Sequence, residues 1–430
     1  MSRKPIGIGL LGMGTVGRGV YRILTGNSDM IEQRVGVPVE IKKILVRNVA
    51  KDRGIRIDEG VLTADIEEVL SNPCIDIVVE VMGGIHPALE YCLEALGRGK
   101  SVVTANKDMM AVHGKELFEA AGANGCDLLF EGSVAGGIPI IRPLKECLAA
   151  NRIRQLIGII NGTTNYMLTR MSRERCDFRT ALEEAQERGY AEADPGADVD
   201  GFDAARKLAI LASIAFNTRV PLEQVYVEGI TRITAEDIAY AAELNYVVKL
   251  LGIAKEGDGG IEARVHPALL PKTHPLASVN DVFNAIFVTG DAVGDVMFFG
   301  RGAGEMPTAS AVAADVMNAA RNLIKNVPGI ISCTCFEDKP VKPMGLTSTK
   351  YYIRLNVADK PGVLAGIAFV FGNNEVSLAS VIQKHTTGQQ AEVVLVTHRV
   401  LEHNLQAALN TIKGLPTVNE VSNVIRVEGD

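Results

Sequence analysis

At 430 residues the chain is longer than one ordinary hydrophobic core can organise, so two or three domains are expected. Its 47 % hydrophobic and 22 % charged residues place it among folded globular proteins and exclude a disordered chain. A net charge of −7 argues against a broad basic field for nucleic acid or an anionic membrane.

No apolar run reaches the ~20 residues that span a bilayer. The start, Met1-Ser2-Arg3-Lys4-Pro5, leads straight into a strand-like segment without a cleavage site, which argues against a signal peptide. Seven unpatterned cysteines fit reduced thiols in a cytoplasm. Cys333 and Cys335 lie close together, but no second pair or histidine cluster completes a metal site. They read as ordinary buried or linker thiols rather than as a redox or zinc pair.

In chain order, Ile6–Leu11, Val39–Val46, Ile75–Val81, Ser101–Val103 and Asp127–Phe130 are short, apolar and often β-branched, as buried parallel strands are. Helix-like stretches, such as 87–96 and 108–121, lie between several of them. Strand–helix alternation predicts a parallel, doubly wound sheet. From Ile138 the pattern becomes mixed. Residues 138–149 read as a helix, 153–160 as a strand and 202–216 as a long amphipathic helix. Residues 261–265 and 283–288 read as strands, and 307–324 as a helix that returns to the first domain. Residues 333–350, with Pro340, Pro343 and Gly345, read as a linker. Beyond it, 352–357, 362–371, 376–383, 392–397, 405–412 and 421–427 follow the order βαββαβ, a ferredoxin-like unit.

The first strand runs into Gly12-Met13-Gly14-Thr15-Val16-Gly17, a GxGxxG turn between strand and helix. Gly12 suits the tight turn, Gly14 lets a pyrophosphate approach the backbone, and Gly17 lets helix and strand pack closely. The following helix N-terminus offers backbone donors to phosphates. At the end of the second strand, where an NAD site usually carries an acid, stands Arg47, with Lys51 and Arg53 behind it. These cations suit a ribose 2′-phosphate, which predicts NADP(H) preference with NAD(H) as the lesser partner. A solvated basic loop is the competing reading.

The densest polar chemistry runs from Gly189 through Tyr190, Glu192, Asp194, Asp198, Asp200 and Asp203 to Lys207. Asp200 is placed to cap the helix that follows, but capping leaves Glu192 and Asp198 unexplained. Asp203 and Lys207 share a helix face. They form either a surface ion pair or a lysine held by an acid at a cleft rim. Spacing alone leaves both open.

These segments resemble the homoserine dehydrogenase family. The likeness runs through Thr104-Ala105-Asn106-Lys107 and through 131–139, which begins Glu131-Gly132-Ser133. It continues through Asn161-Gly162-Thr163-Thr164-Asn165-Tyr166 and Gly189-Tyr190 with Glu192, Asp194, Pro195, Asp198, Asp203 and Lys207. It ends with 300–304 and Thr308, so it covers about residues 5–325.

The resemblance implies that Lys207 exchanges a proton with the alcohol oxygen of L-homoserine as it interconverts with L-aspartate 4-semialdehyde. Lys107 would sit near the nicotinamide and Asp203 would orient Lys207. Glu192, Tyr190 and Asp198 would receive the substrate ammonium. Gly162 and Thr163 would meet the substrate carboxylate, and Gly304 the cofactor. It also implies a monovalent cation, sodium, at Glu131 and the carbonyls of Val134, Gly136 and Ile138; oxygen ligands in a glycine-rich turn suit a hard ion. A plain glycine-rich hinge is the alternative.

The C-terminal unit, with Asp359-Lys360-Pro361-Gly362 at a strand-to-helix turn, resembles an ACT domain. That likeness implies L-threonine as effector and a homodimer or homotetramer; a dimerisation module that binds nothing is the alternative. The expected fold class is therefore α/β: an N-terminal Rossmann-type dinucleotide-binding domain, an α+β substrate and dimerisation domain, and a ferredoxin-like ACT domain. The expected limits are 1–137 with 305–328 returning, 138–304, a linker at 329–349, and 350–430. One rival, an aspartate-semialdehyde dehydrogenase, needs a cysteine nucleophile that the chain does not present in a suitable setting. The other, a non-catalytic amino-acid sensor, predicts loss of Lys107 or Lys207, and both are present.

Overall fold

A strand buried on both faces of a sheet leaves little room for polar side chains, and the first strand obeys that rule. In the computed structural model, which describes residues 4–429 (the side chains of 384–387 excepted), every residue of β1 (Ile6–Leu11) is buried. The leader reading of Met1–Arg3 lies outside the described residues. Next come β2 (Val39–Leu45), β3 (Leu62–Thr63), β4 (Ile77–Glu80), β5 (Ser101–Thr104) and β6 (Leu128–Leu129). They form one parallel sheet of order β3-β2-β1-β4-β5-β6, the doubly wound arrangement in which a ligand crevice opens where the strand order reverses.

The later strands are β7 (Ile153–Ile159), β8 (Tyr226–Val227), β9 (Tyr246–Gly257), β10 (Gly260–Pro271), β11 (Phe283–Gly290) and β12 (Gly294–Arg301). After them come β13 (Ser348–Ala358), β14 (Leu378–Thr387), β15 (Gln390–Thr397), β16 (Val400–Leu401) and β17 (Val418–Val427). The chain divides into two compact units. The first comprises Met1–Ile153, Ala209–Leu222 and Asn284–Asp338; the second comprises Arg154–Leu208, Glu223–Phe283 and Lys339–Asp430.

In the first unit the helix Glu305–Lys325 closes the dinucleotide-binding core. Ala309, Val312, Val316 and Ala320 pack with Ile8, Leu10, Val20 and Leu24. Gly19 permits that approach, since a Cβ there would stand 2.7 Å from the Ala309 methyl. The segment 138–149 differs from expectation. Pro139 and Pro143 remove amide donors, and the Glu131 carboxylate takes the amides of Ile140, Ile141 and Arg142. Regular winding therefore starts only at Ile141 and passes into a π-helical turn, Pro143–Cys147.

In the second unit the sheet order is β7-β9-β10-β17-β13-β15-β14, with β8 beside β10 and β16 beside β13. The four strands β17-β13-β15-β14 and the helices Val363–Asn373 and Glu402–Lys413 make the βαββαβ unit, with Tyr351, Ile353, Phe371 and Leu405 in its core. Its last strand lies parallel to β10, pairing Arg426 with Ala268 and Val427 with Leu269. Within the stretch read as a linker, 333–350, a short helical turn spans Met344–Leu346 and β13 begins at Ser348. Strand β9 and the helices Gly162–Glu174, Phe178–Glu187 and Ala235–Glu243 were not read from the sequence.

Buried charges reinforce the β10–β17 seam. Arg354 on β13 donates to Asp237 (2.7 Å), Glu392 (2.8 Å) and Thr234 (3.1 Å), and Asn423 donates to the other Asp237 oxygen at 2.7 Å. Arg426 joins Glu402 (2.9 Å) to Glu228 (2.7 Å), and Arg264 reaches Glu428 at 2.7 Å. Burial works against charge on Glu428, yet Arg264 and Lys255 hold its carboxyl down to about 2. Removing one partner of such a set strands the other in a medium of low polarity. Arg354→Met is expected to cost about 3–5 kcal/mol, because Asp237 has no exposed surface. Chemical denaturation of the full chain checks this; a loss below about 1 kcal/mol would show the pairing to be dispensable.

Candidate active site

The glycine turn has the shape a dinucleotide needs. Gly12 holds φ 102°, and its amide donates to the Leu45 carbonyl at the end of β2. A Cβ on Gly17 would lie 2.3 Å from the Gly12 carbonyl, so only glycine lets the helix Thr15–Gly26 start this close to the turn. Gly14, the N-cap, has open space where a Cβ would stand, and no side chain caps that helix. Met13 is buried; Thr15 and Val16 begin the first helical turn. These observations fit a pyrophosphate on uncapped N–H groups. Gly304, at φ 128°, is the N-cap of the helix Glu305–Lys325, and Glu305 there pairs with Arg22 at 2.6 Å. Arg47 lies exposed just past β2, while Arg53 turns back onto the carbonyls of Asn48 and Lys51.

Lys107 is the first residue of the helix Lys107–Ala123. Asn106 caps that helix through Met109 N–H at 3.1 Å and donates to the Gly84 carbonyl at 2.6 Å. Beneath it, Glu80 at the end of β4 accepts from the Thr104 hydroxyl (2.6 Å) and from the Met82 amide (2.8 Å). Burial pushes the Glu80 carboxyl above the usual range, against the pull of those donors. Sequence reasoning missed Glu80; an acid ending an otherwise apolar strand was the available signal.

In the second unit one carboxamide gathers three of the expected residues. Asn161 caps the helix Gly162–Glu174, its oxygen accepting from Thr164 N–H at 2.9 Å. Its nitrogen donates to Asp198 at 2.6 Å and to Asp203 at 2.9 Å. Asp203 in turn accepts from Lys207 Nζ at 2.6 Å, and Lys207 also donates to the Ile160 carbonyl at 2.9 Å. The Lys207 and Asp203 side chains are only 11 % and 9 % exposed, which decides against a solvated surface pair. Burial, with Asp203 adding to it, raises the Asp198 carboxyl above its ordinary value. Asn161 was read as part of the 161–166 segment but given no role, although Asn directly before Gly-Thr-Thr at a strand end is a capping signature.

Other expected residues sit differently. Asp200 does not cap the long helix; it closes the short turn Gly196–Val199 from its C-terminal side, and Asp198 lies within that turn rather than in a loop. The Thr163 hydroxyl donates to the Tyr190 carbonyl at 2.7 Å, so its hydrogen is engaged within the protein. Gly162 and Thr163 thus bring first-turn amides to this helix end. The Tyr190 ring meets Tyr166 edge to face, centroids 5.0 Å apart. Glu192 is exposed, and its carbonyl accepts from the Gln186 side-chain amide at 3.0 Å. Asn165 accepts from buried Lys249 at 3.0 Å and serves packing; burial brings that ammonium down to about 8.

Back in the first unit, the Glu131 carboxylate is occupied by three amides, so a cation there would meet main-chain oxygens. Val134, Gly136 and Ile138 are buried in a turn where Ala135 and Gly136 adopt φ 56° and 50°. Among the described residues their carbonyls accept no backbone hydrogen bond of the turns and loops, which suits a hard ion. No group of three or more His, Cys, Asp or Glu side chains among the described residues could hold a metal. Asp315, fully buried, accepts the Glu131 amide at 2.8 Å, and burial, with Glu131 second, pushes its carboxyl up to about 8. No helix among the described residues is long and apolar enough to cross a membrane.

Comparison with known proteins agrees with these arrangements. Residues 12–131 match the model of the homoserine dehydrogenase NAD binding domain, residues 139–317 that of homoserine dehydrogenase, and residues 351–417 that of the ACT domain. The homoserine dehydrogenase of Bacillus subtilis is 44 % identical over 429 residues, 99 % of each chain. That of Synechocystis is 48 % identical over 433 residues, 98 % of this chain and 99 % of its own. The crystal structure of a homoserine dehydrogenase from Thiobacillus denitrificans superposes with a TM-score of 0.94 at 44 % identity, covering 99 % of each chain. A hyperthermophilic archaeal homoserine dehydrogenase in complex with NADPH matches at TM-score 0.63 and 29 % identity, covering 73 % of this chain and 97 % of that one. With a dinucleotide-binding sheet, a buried lysine–acid set and a C-terminal ACT unit along almost the whole length of such relatives, the chain belongs to the homoserine dehydrogenase family of NAD(P)-dependent oxidoreductases.

Proposed function

We propose that this protein interconverts L-homoserine and L-aspartate 4-semialdehyde with a nicotinamide dinucleotide, within the biosynthesis of threonine, methionine and isoleucine. The observation that carries the reading is Lys207, whose largely buried amino group donates to Asp203 and to the Ile160 carbonyl and has room for one further hydrogen-bond partner. That place is the one a substrate oxygen would take. Loss of hydride from an alcohol carbon must be matched by loss of a proton from its oxygen, and the bound nicotinamide supplies the hydride acceptor. As the neutral amine, Lys207 takes that proton in the oxidation, and as the ammonium it returns it in the reduction, held in position by Asp203; Lys107 would sit near the reacting group. Asp198, with Tyr190 and Glu192, receives the substrate ammonium; the amides of Gly162 and Thr163 meet its carboxylate. A zwitterionic amino acid suits this set better than a simple hydroxy acid does.

The turn from Gly12 to Gly17 would cradle the pyrophosphate, Gly304 would contact the cofactor, and exposed Arg47 supports NADP(H) over NAD(H). Sodium at the main-chain oxygens of Glu131, Val134, Gly136 and Ile138 would stiffen the turn between them. The ACT unit, 350–430, would sense L-threonine in a homodimer or homotetramer acting in the cytoplasm. We assign 1–137 with 305–328 to the cofactor, 138–304 to substrate and catalysis, and 329–349 to the connection.

Absorbance at 340 nm with homoserine and each cofactor in turn is the direct assay, and kcat/KM is expected to be higher with NADP. A clear NAD preference would remove the Arg47 argument. Lys207→Ala is expected to lower kcat by roughly 10² or more with the fold intact, as read by circular dichroism. Nearly wild-type turnover would take Lys207 out of the chemistry. In the same assay millimolar threonine should slow turnover, and replacing sodium by tetramethylammonium should lower the melting temperature. Indifference to either addition would eliminate the corresponding ligand.

A further inference from the structure

Neither the oxidoreductase chemistry nor the ACT reading uses the sequence Cys333-Thr334-Cys335. Both residues are partly exposed, both are unpaired thiols, and the structure surrounds them with cations rather than with apolar packing alone. Arg219 Nη2 stands 3.9 Å from the Cys333 sulfur. Lys145, on the π-helical turn, lines the same cavity, its ammonium 4.9 Å from the Phe118 ring centroid and 5.6 Å from that of Phe130. The Cys335 sulfur stands 3.7 Å from the Ser213 carbonyl. The bend is tight, with Phe336 N–H returning to the Thr334 carbonyl at 3.0 Å.

We propose that Cys333 and Cys335 form a reversible thiol–disulfide site, oxidised by hydrogen peroxide or a similar small hydroperoxide. The cavity, lined by both sulfurs, Lys145 and Arg219, adjoins an open surface depression that also includes both cysteines, so a small oxidant can reach them. The Cys335 thiol and amide hydrogen-bond to the Cys333 sulfur, and Arg219 and Lys145 add positive charge, which together hold the Cys333 thiol well below its usual value despite burial. The same pairing pushes the Cys335 thiol upward. One sulfur is thereby the nucleophile and its neighbour the proton-bearing resolving thiol. In the first step the Cys333 thiolate attacks a peroxide oxygen; an S–O bond forms, the O–O bond breaks, hydroxide leaves, and the sulfur becomes a sulfenic acid. In the second, the Cys335 sulfur attacks that sulfenic sulfur, its proton leaves with the hydroxyl as water, and the S–S bond closes. Two electrons pass from the thiol pair to the peroxide. A dithiol reverses the change.

Alkylation of the intact protein with iodoacetamide at pH 6.5, read by peptide mass, gives the first test. Cys333 is expected to label at least about tenfold faster than exposed Cys74. After peroxide and then alkylation in denaturant, the 333–335 peptide should be unalkylated and lighter by two hydrogens, and dithiothreitol should restore both labels. In Cys335→Ser, dimedone should trap the sulfenic acid on Cys333; in Cys333→Ser, Cys335 should give no such adduct. The proposal fails if Cys333 labels no faster than Cys74. It fails equally if both thiols alkylate fully after a peroxide dose that oxidises Cys74.

Discussion

The orientation of one side-chain amide governs the second unit's polar centre. Asn161 has a backbone N–H on one side and two carboxylates on the other, so its oxygen and nitrogen have a single workable assignment. Reversed, the oxygen would face Asp198 and Asp203, and the amide hydrogens would face a donor. The helix start at Gly162, the spacing of the two acids and the seat of the Lys207 ammonium are therefore consequences of one capping bond. Two carboxylates with a shared neighbour repel one another, and burial raises Asp198 further. A neutral donor between them, with a cation beyond Asp203, offsets that repulsion without adding a second positive charge.

Much of this was legible beforehand. Strands β1, β4 and β5 announced themselves because burial on both faces forces short apolar runs, and GxGxxG between strand and helix has few other uses. The βαββαβ order was legible for a similar reason, since short alternating elements leave turn residues at their joints. Spacing could place Asp203 and Lys207 on one face, but only burial distinguished a solvated pair from an enclosed one. Asn161 and Glu80 escaped because their partners are distant in sequence, Asp198 and Asp203 in one case and the hydroxyl of Thr104 in the other. The helix expected at 138–149 failed through the same blindness: a carboxylate well upstream consumes the amides that would have begun it.

The ACT unit is not a bead on a string. Its outer strand β17 is hydrogen-bonded to β10, and Arg354, Arg426 and Glu428 carry buried charge across the seam to Asp237, Glu228 and Arg264. A buried ionic set of this kind is weak evidence for net stability but strong evidence for a fixed register, because every slipped alignment leaves a charge unpaired. Signals from the C-terminal unit would thus travel as strain in a shared sheet rather than as motion about a free tether.

That shared sheet also sets a schedule for the nascent chain. Strand β10 leaves the ribosome long before β17, the strand that will flank it, has been synthesised. Until then β8 covers only Arg264 and Val265 of that edge, Ala268 and Leu269 lack their β17 partners, and Arg264 lacks Glu428. A strand edge left partly bare is a template for wrong partners. The seam that fixes the register of the finished enzyme is therefore also the place where translation leaves it most open to a chaperone or to a neighbouring polypeptide.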